Sequence, residues 1–294
     1  MNIYKLPPLS LKLLSYFGKN FPKTLISLRQ LIRHKTLINW SHPRSMQEYI
    51  YKQLFDKATD INFFGMAADK YEVREYIKEK IGEQFLNDIY GVWENANDID
   101  FSSLPNNFVL KTNNGCGTNF FVSNKKELDI PSTIAMLNHW LEIPYGNATG
   151  QIHYSTIKPL IIAEKFLKQT KKITTNELID YKFYCINGKP VNVLVCTNRS
   201  ERSHLFDAMI YDMNWTEQPE YIAPGYSHIK GLAQPESFQE MKQLVTKLAE
   251  PFKFVRIDFY EIDGKPIFGE ITLTPSMDGA LSKYGDTKLI KQLL

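Results

Sequence analysis

The sequence predicts an α+β fold preceded by a helical N-terminal region, and three observations carry that expectation. Residues 45–95 place apolar side chains at helical spacing, with charge between them, in SMQEYIYKQLFDKA and DKYEVREYIKEKIGEQFL. From about residue 100 short β-rich runs take over: FVLK, NFFVS, LIIAEKFL, YKFYCI, VNVLVC, FKFVRIDFYEI and PIFGEITL. One more amphipathic helix, SFQEMKQLVTKLAE, separates the later runs, so strands and helices are grouped rather than strictly alternating.

The 294 residues suffice for two ordinary domains or one large one. Hydrophobic residues at 43% and charged residues at 23% give a globular composition, with no need of a metal or disulfide staple. The expected divisions are a basic helical arm (1–45), a helical N-terminal region (46–103), a smaller α+β segment (104–167) and a larger one (168–294). Cys116, Cys185 and Cys196 are an odd count without framework spacing, as expected of reduced thiols in the cytoplasm. Lys5, Pro7, Pro8 and Lys12 interrupt any signal-peptide core, and no apolar run is long enough to cross a membrane.

A net charge of +3 does not point to nucleic acid. Its distribution is uneven. Residues 1–47 hold eight Lys and Arg and no Asp or Glu, leaving 27 basic and 32 acidic residues in the remainder. Within this arm, LSLKLLSYFGKNFPKTLISLRQLIR reads as two short helices broken near Gly18–Pro22. Two readings stand for it: an interfacial pair drawn to anionic headgroups, or a pair packed on its own domain with lysines in solvent. Further on, Ser45 followed by Glu48 starts a helix as a capping box, and Gly82 stops one.

In FVLKTNNGCGTNFFV (108–122) a strand ends at Lys111 and a small-polar loop leads to a second strand. Asn114, Gly115 and Gly117 allow successive backbone N–H groups to converge on an anion, with Lys111 adding a point charge. The spacing is neither that of a Walker A loop nor that of a dinucleotide fingerprint. PLIIAEKFL (159–167) is an apolar strand ending in Glu164 and Lys165, whose backbone could meet an adenine edge. The hairpin DYKFYCINGKPVNVLVCTNR turns at Asn187-Gly188 and carries Asp180, Lys182 and Arg199 at its outer ends. A two-residue turn there sets Cys185 opposite Pro190, so Cys185 and Cys196 are not cross-strand partners.

The most informative stretch is FVRIDFYEIDGKPIFGEITLT (254–274), two β-rich runs around Asp263-Gly264. Odd positions are almost all apolar, and the even positions include Arg256, Asp258, Glu270 and Thr272. A strict two-residue turn sets Asp258 opposite Gly269 and the carboxylates on opposite faces. A three-residue loop with Gly264 left-handed keeps every even position on one face, and the apolar pattern favours it. Asp258 and Glu270 then supply hard oxygens suited to Mg²⁺, and each repels the other unless a cation or proton lies between them.

In this order the segments resemble the ATP-grasp superfamily, and more closely its TupA-like branch, associated with bacterial surface-polysaccharide assembly. The matching blocks are 67–86, 104–122, 161–167, 180–199, 211–215 and 254–275. The resemblance implies an ATP-grasp fold, two α+β subdomains clamping ATP. It implies ATP phosphates at Lys111 and Lys165 under the 113–119 loop, adenine at Glu164, Lys165, Phe166 and Leu167, and ribose near Asp180. Lys182 and Arg199 lie near the reacting phosphates in that scheme, with Mg²⁺ on Asp258 and Glu270. Thr272 stands where many members have Asn, which suggests a weaker third metal ligand, and Cys116 where the loop often has Ser. Arg256, beside Asp258, suits a substrate carboxylate or the migrating phosphoryl.

The implied activity is amide formation between a carboxylate, such as a uronic acid or an acidic amino acid, and an amine through an acyl-phosphate. The expected location is cytoplasmic, and the charge asymmetry of the arm at 1–45, apart from the resemblance, suits contact with the inner membrane face or with a lipid-linked glycan. Two rivals remain. One is a glycosyltransferase using a sugar nucleotide; the other is a glycan-binding module on an ATP-grasp scaffold.

Overall fold

The computed structural model describes residues 3–168, 178–197, 207–277 and 281–294. The first elements are helices α1 (Pro8–Asn20), α2 (Pro22–His34), α3 (Met46–Gln53), α4 (Ile61–Ala68) and α5 (Val73–Lys80). Strands β1 (Ile89–Trp93), β2 (Phe108–Thr112) and β3 (Asn119–Val122) follow, then α6 (Ile130–Leu141), α7 (Tyr145–Thr149) and β4 (Ile161–Lys165). The C-terminal half holds β5 (Asp180–Ile186), β6 (Lys189–Thr197), β7 (Asp207–Asp212), β8 (Ser227–His228), α8 (Phe238–Ala249), β9 (Phe254–Ile262), β10 (Lys265–Thr272) and α9 (Lys283–Ile290).

The chain forms two compact units. One comprises residues 1–38, 54–74 and 87–166; the other comprises 39–53, 75–86 and 167–294. The first unit contains an antiparallel sheet of order β1-β4-β2-β3. Phe108, Leu110, Ile161 and Ala163 point from one face of it onto Leu137 of α6. Strand β1 lies within the region expected to be helical. Its IYGVW run is too short for a helix and finds an edge partner in β4.

In the first unit, α1 and α2 meet at Phe21, within the interval where the sequence breaks. Gly18 belongs to α1, and a Cβ there would lie 1.9 Å from the Asn147 carbonyl of α7, so glycine lets the two backbones touch.

The second unit contains a sheet of order β10-β9-β5-β6-β7-β8, antiparallel except for the short β7–β8 pair. On one face Phe183 stacks on Phe238 of α8, with ring centroids 6.1 Å apart. On the other, Tyr184, Ile186, Leu194 and Phe254 pack with Met46 and Ile50 of α3 and Leu289 of α9. The α3 start is capped as expected: Ser45 Oγ accepts from Glu48 N at 3.2 Å, while the Glu48 carboxylate turns back to Arg44 N at 2.7 Å. The Asn187-Gly188 turn has positive φ at both residues and sets Cys185 opposite Pro190, as the sequence implies.

Candidate functional site

In the first unit, alternation along β2 and β4 decides which charged groups meet. Lys111 and Glu164 share a face and pair at 2.7 Å, both largely shielded. Lys165, one residue on, takes the opposite face and pairs with Asp88 at 2.9 Å among exposed groups. The two lysines expected at the phosphates are therefore not brought together within this sheet. The Lys165 backbone is also engaged: its N–H donates to Asp88 O, and its carbonyl accepts from Asn87 Nδ2. Phe166 sets its ring edge-on to Phe121, with centroids 6.1 Å apart, and Leu167 is half-buried at the start of the last segment of the second unit.

The loop between β2 and β3 is held from behind. Asn113, fully buried, donates through Nδ2 to Asp69 Oδ2 at 2.8 Å and to Lys158 O at 2.9 Å, and accepts from Leu160 N at 2.7 Å. Lys70 Nζ donates to Gly115 O, and Tyr4 Oη donates to Cys116 O at 2.8 Å. A Cβ on Gly115 would lie 2.9 Å from the Tyr145 ring, so this glycine allows the loop to rest on that ring. Gly117 has φ +79° with open space around it, so it is needed for its backbone conformation instead. Among the described residues, the N–H groups of Asn114, Gly115, Cys116 and Gly117 donate to no acceptor, while the carbonyls of Gly115 and Cys116 are occupied. Such a row of unspent donors beside Lys111 has the chemistry of an anion cradle.

In the second unit, β5, β9 and β10 carry six of the expected residues on one face. Lys182 is paired with Asp258 in the ladder and reaches its Oδ2 at 2.6 Å, with Asp180 Oδ2 at 3.5 Å. Arg256 grips Asp258 with two parallel bonds of 2.7 Å, Nε to Oδ1 and Nη2 to Oδ2. Its Nη2 also donates to Glu270 Oε1 at 2.6 Å and to Thr272 Oγ1 at 3.1 Å, and Thr272 donates to Glu270 at 2.8 Å. Asp180, Asp258 and Lys182 are buried, whereas the Glu270 side chain is 40% exposed. Arg199 lies outside the described residues.

The route to this shared face differs from the expected one. Asp263 and Gly264 form a two-residue turn with φ +53° and +82°, pairing Ile262 with Lys265. Phe268 then stands opposite Phe259, reversing the expected parity of Ile267 and Phe268. A bulge at Gly269 inserts one extra residue and brings Glu270 opposite Asp258 and Thr272 opposite Arg256.

The cation expected between the two carboxylates is the Arg256 guanidinium. Burial works against its charge, but Asp258 and Glu270 outweigh burial and raise its pKa. Burial likewise opposes the Lys182 ammonium, and Asp258 and then Asp180 overcome it, so that pKa is raised too. Three carboxylates against these two cations leave one net negative charge, which favours a further cation. The oxygens of Asp258, Glu270 and Thr272 are of the hard type Mg²⁺ takes. They fit the ion provided Arg256 releases one carboxylate. Among the described residues, no three His, Cys, Asp or Glu side chains form a metal cage, so other oxygens would have to complete the shell.

Asp69 and Lys70 hold the glycine loop from the helical region, and nothing in their own stretch of sequence announces it. Tyr4 and Tyr145 had no local signal, being far from the loop in sequence. Tyr211 and Trp215 stack on each other at 4.2 Å, and Trp215 also packs on Phe238.

The glycine hairpin, the antiparallel sheets and the carboxylate hairpin accord with the ATP-grasp fold that the sequence resemblance implies. A family model described as TupA-like ATPgrasp matches residues 50–290, and the chain belongs to that family. Among solved structures it is similar to a D-alanine–D-alanine ligase from Bacillus anthracis, with 18% identity over 78% of this chain and 66% of that one, at TM-score 0.48. It is also similar to an L-amino acid ligase from Bacillus licheniformis, with 14% identity over 75% and 43% at TM-score 0.43. A phosphoribosylamine–glycine ligase from Thermotoga maritima gives 10% identity over 75% and 52% at TM-score 0.44. The chain thus spans about two thirds or less of the length of these ligases. No curated protein sequence matches it.

Proposed function

We propose that this chain is an ATP-dependent carboxylate–amine ligase acting through an acyl-phosphate. The observation that carries the reading is the 113–119 loop, whose carbonyls are tied back by Lys70 and Tyr4 while four consecutive N–H groups stay unspent beside Lys111. That is what binding of polyphosphate oxygens requires. In this reading Asn114, Gly115 and Gly117 present the amides, and Glu164 steadies Lys111. Glu164 to Leu167, with Lys165 and Phe166 between, flank the adenine, and Asp180 serves the ribose. Asp258, Glu270 and Thr272 hold Mg²⁺, which when bound neutralises phosphate charge. Arg256, Lys182 and Arg199 hold the migrating phosphoryl and the substrate carboxylate.

The chemistry is two displacements. A carboxylate oxygen attacks the γ-phosphorus, the bond to the β-phosphate oxygen breaks, and ADP leaves. An amine nitrogen then attacks the acyl carbon, the C–O bond to phosphate breaks, and inorganic phosphate departs as the amine loses a proton. Both steps bring anions together, so positioning and cationic side chains supply most of the catalysis. No protein nucleophile is needed.

Family membership supports bacterial surface polysaccharide as the setting, with a uronic acid or acidic amino acid as the carboxylate, in the cytoplasm. The test is thermal stability of wild type and Glu270→Gln with ATP, ADP, UDP-glucose and GDP-mannose, with and without Mg²⁺, followed by ADP release over uronic acids and amino acids. Mg²⁺-dependent stabilisation by adenine nucleotides, weakened in the variant, supports the ligase. Preference for a sugar nucleotide would replace it with glycosyl transfer, and no nucleotide response would leave a glycan-binding module.

A further inference from the structure

Helices on a protein surface normally turn polar residues to solvent. The first two helices turn large apolar residues to solvent as well. Leu11 and Leu14 of α1 pack inward with Ile143, Tyr145 and Ala148, and Leu25 and Ile26 of α2 are buried. The opposite face of α1 exposes Leu9, Leu13 and Tyr16, at 70%, 62% and 70%. On α2, Leu28, Leu31 and Ile32 are exposed, and Phe21 at the junction is exposed as well. Of the fourteen large hydrophobic side chains exposed among the described residues, eight lie between Leu9 and Leu37. Scattered exposed leucines need no explanation, but a concentration of this kind does.

Both helices rest on α7: Gly18 approaches Asn147, Pro22 and Ile26 approach Gly150, and Arg29 donates to Ala148 O at 3.4 Å. Their outer faces therefore point away from a common support. Interleaved with the apolar side chains are the exposed cations Lys5, Lys12, Lys19, Lys23, Arg33 and Lys35, and no acidic residue occurs before Glu48.

We infer that the outer faces of α1 and α2 form a docking surface for an anionic lipid bilayer. Leucines, an isoleucine and aromatic side chains enter the acyl boundary while lysine and arginine ammonium and guanidinium groups meet the headgroup phosphates. No helix among the described residues is long and apolar enough to cross a membrane, so this surface lies on the bilayer rather than in it. A second copy is a poor occupant, because a self-complementary interface would set the lysines and arginines of these helices, which carry no acidic residue, against their own copies. The inference does not rest on the ligase reading.

The test is co-sedimentation of the full chain with vesicles of phosphatidylcholine alone and of phosphatidylcholine with phosphatidylglycerol. The expected result is association with the anionic vesicles only, weakened by salt. The combined Lys12→Glu, Lys19→Glu, Arg33→Glu variant is expected to bind at least about 100-fold more weakly. Leu13→Ser with Ile32→Ser is expected to cost about tenfold or more. Both variants change outward side chains, so their melting temperatures stay near that of wild type, which separates lost docking from lost folding. No association of wild type with anionic vesicles, or equal association of wild type and both variants, overturns the inference. So does a dimer in light scattering that Leu13→Ser with Ile32→Ser dissociates while vesicles go unbound, because a second copy then covers the surface.

Discussion

Glu270 stands directly opposite Asp258 although the turn joining their strands sets a register that would give that place to Gly269. The slip occurs at Gly269 itself, where a Cβ would lie 3.0 Å from the Asp258 carbonyl oxygen and 3.2 Å from the Tyr260 ring. Gly269→Ala therefore asks the Asp258 carbonyl and the Tyr260 ring to give by a few tenths of an ångström beside the carboxylate cluster. The expected cost is about 1–2 kcal/mol in urea unfolding, with a larger proportional loss of Mg²⁺-dependent nucleotide stabilisation. Unchanged stability would mean that the bulge tolerates a side chain and that the glycine is not what re-registers the strand.

The same hairpin shows how far the sequence could be read. Alternation of polar and apolar residues was enough to put Arg256, Asp258, Glu270 and Thr272 on one face, because burying either carboxylate unpaired is costly. It could not choose between a longer turn and a bulge, since both insert one residue and restore the same face. The difference surfaces only at Phe268, which packs edge-on against Phe259 at 5.9 Å where Ile267 was expected. The glycine loop was legible from its small residues and flanking strands. Its supports were not, because Tyr4, Asp69, Lys70 and Tyr145 reach it from remote positions. Strand β1 was missed for a related reason: its pairing with β4 is a tertiary contact that five residues of sequence do not announce.

Arg256 is the counter-ion of both carboxylates, so its removal should be felt before any ligand is added. Arg256→Ala is expected to lower stability by about 3 kcal/mol, because it takes the guanidinium from Glu270 and leaves buried Asp258 with Lys182 alone. Arg256→Lys should cost less but still measurably, since an ammonium cannot reproduce the paired bonds to Asp258. If the carboxylates accept Mg²⁺, millimolar Mg²⁺ should restore part of the alanine variant's stability and add little to wild type. An identical Mg²⁺ response in both proteins would remove the carboxylates from the metal site.

Lys70 touches the glycine loop through the Gly115 carbonyl. Lys70→Met keeps the length of the side chain and removes that donor. The expected outcome is roughly tenfold weaker ATP binding, the order of one charge-assisted hydrogen bond, with global stability little changed. Cys116, exposed on the same loop, gives a second readout: its alkylation should quicken as the loop loosens. Weaker binding with unaltered alkylation would place Lys70 on the ligand rather than behind the loop.

His153 gives a pH dependence whose sign can be worked out. Its ring is wholly buried, and neither nitrogen has a hydrogen-bond partner among the described residues. Burial lowers its pKa from 6.5 to about 3. Above pH 6.5 the ring is neutral folded or unfolded, and it contributes no slope. Below that the unfolded chain takes up a proton that the folded chain refuses, so stability falls as pH falls until the folded pKa is reached. The slope is about 1.4 kcal/mol per pH unit, or about 2 kcal/mol between pH 6.5 and 5. His153→Phe, which keeps a ring in the pocket and cannot titrate, should lose that component. Urea midpoints at neutral and acid pH therefore separate the two proteins: the wild-type midpoint should fall further than the variant's. Parallel midpoints would show that His153 gains its proton in the folded state at its ordinary pKa, and hence that its site opens to water.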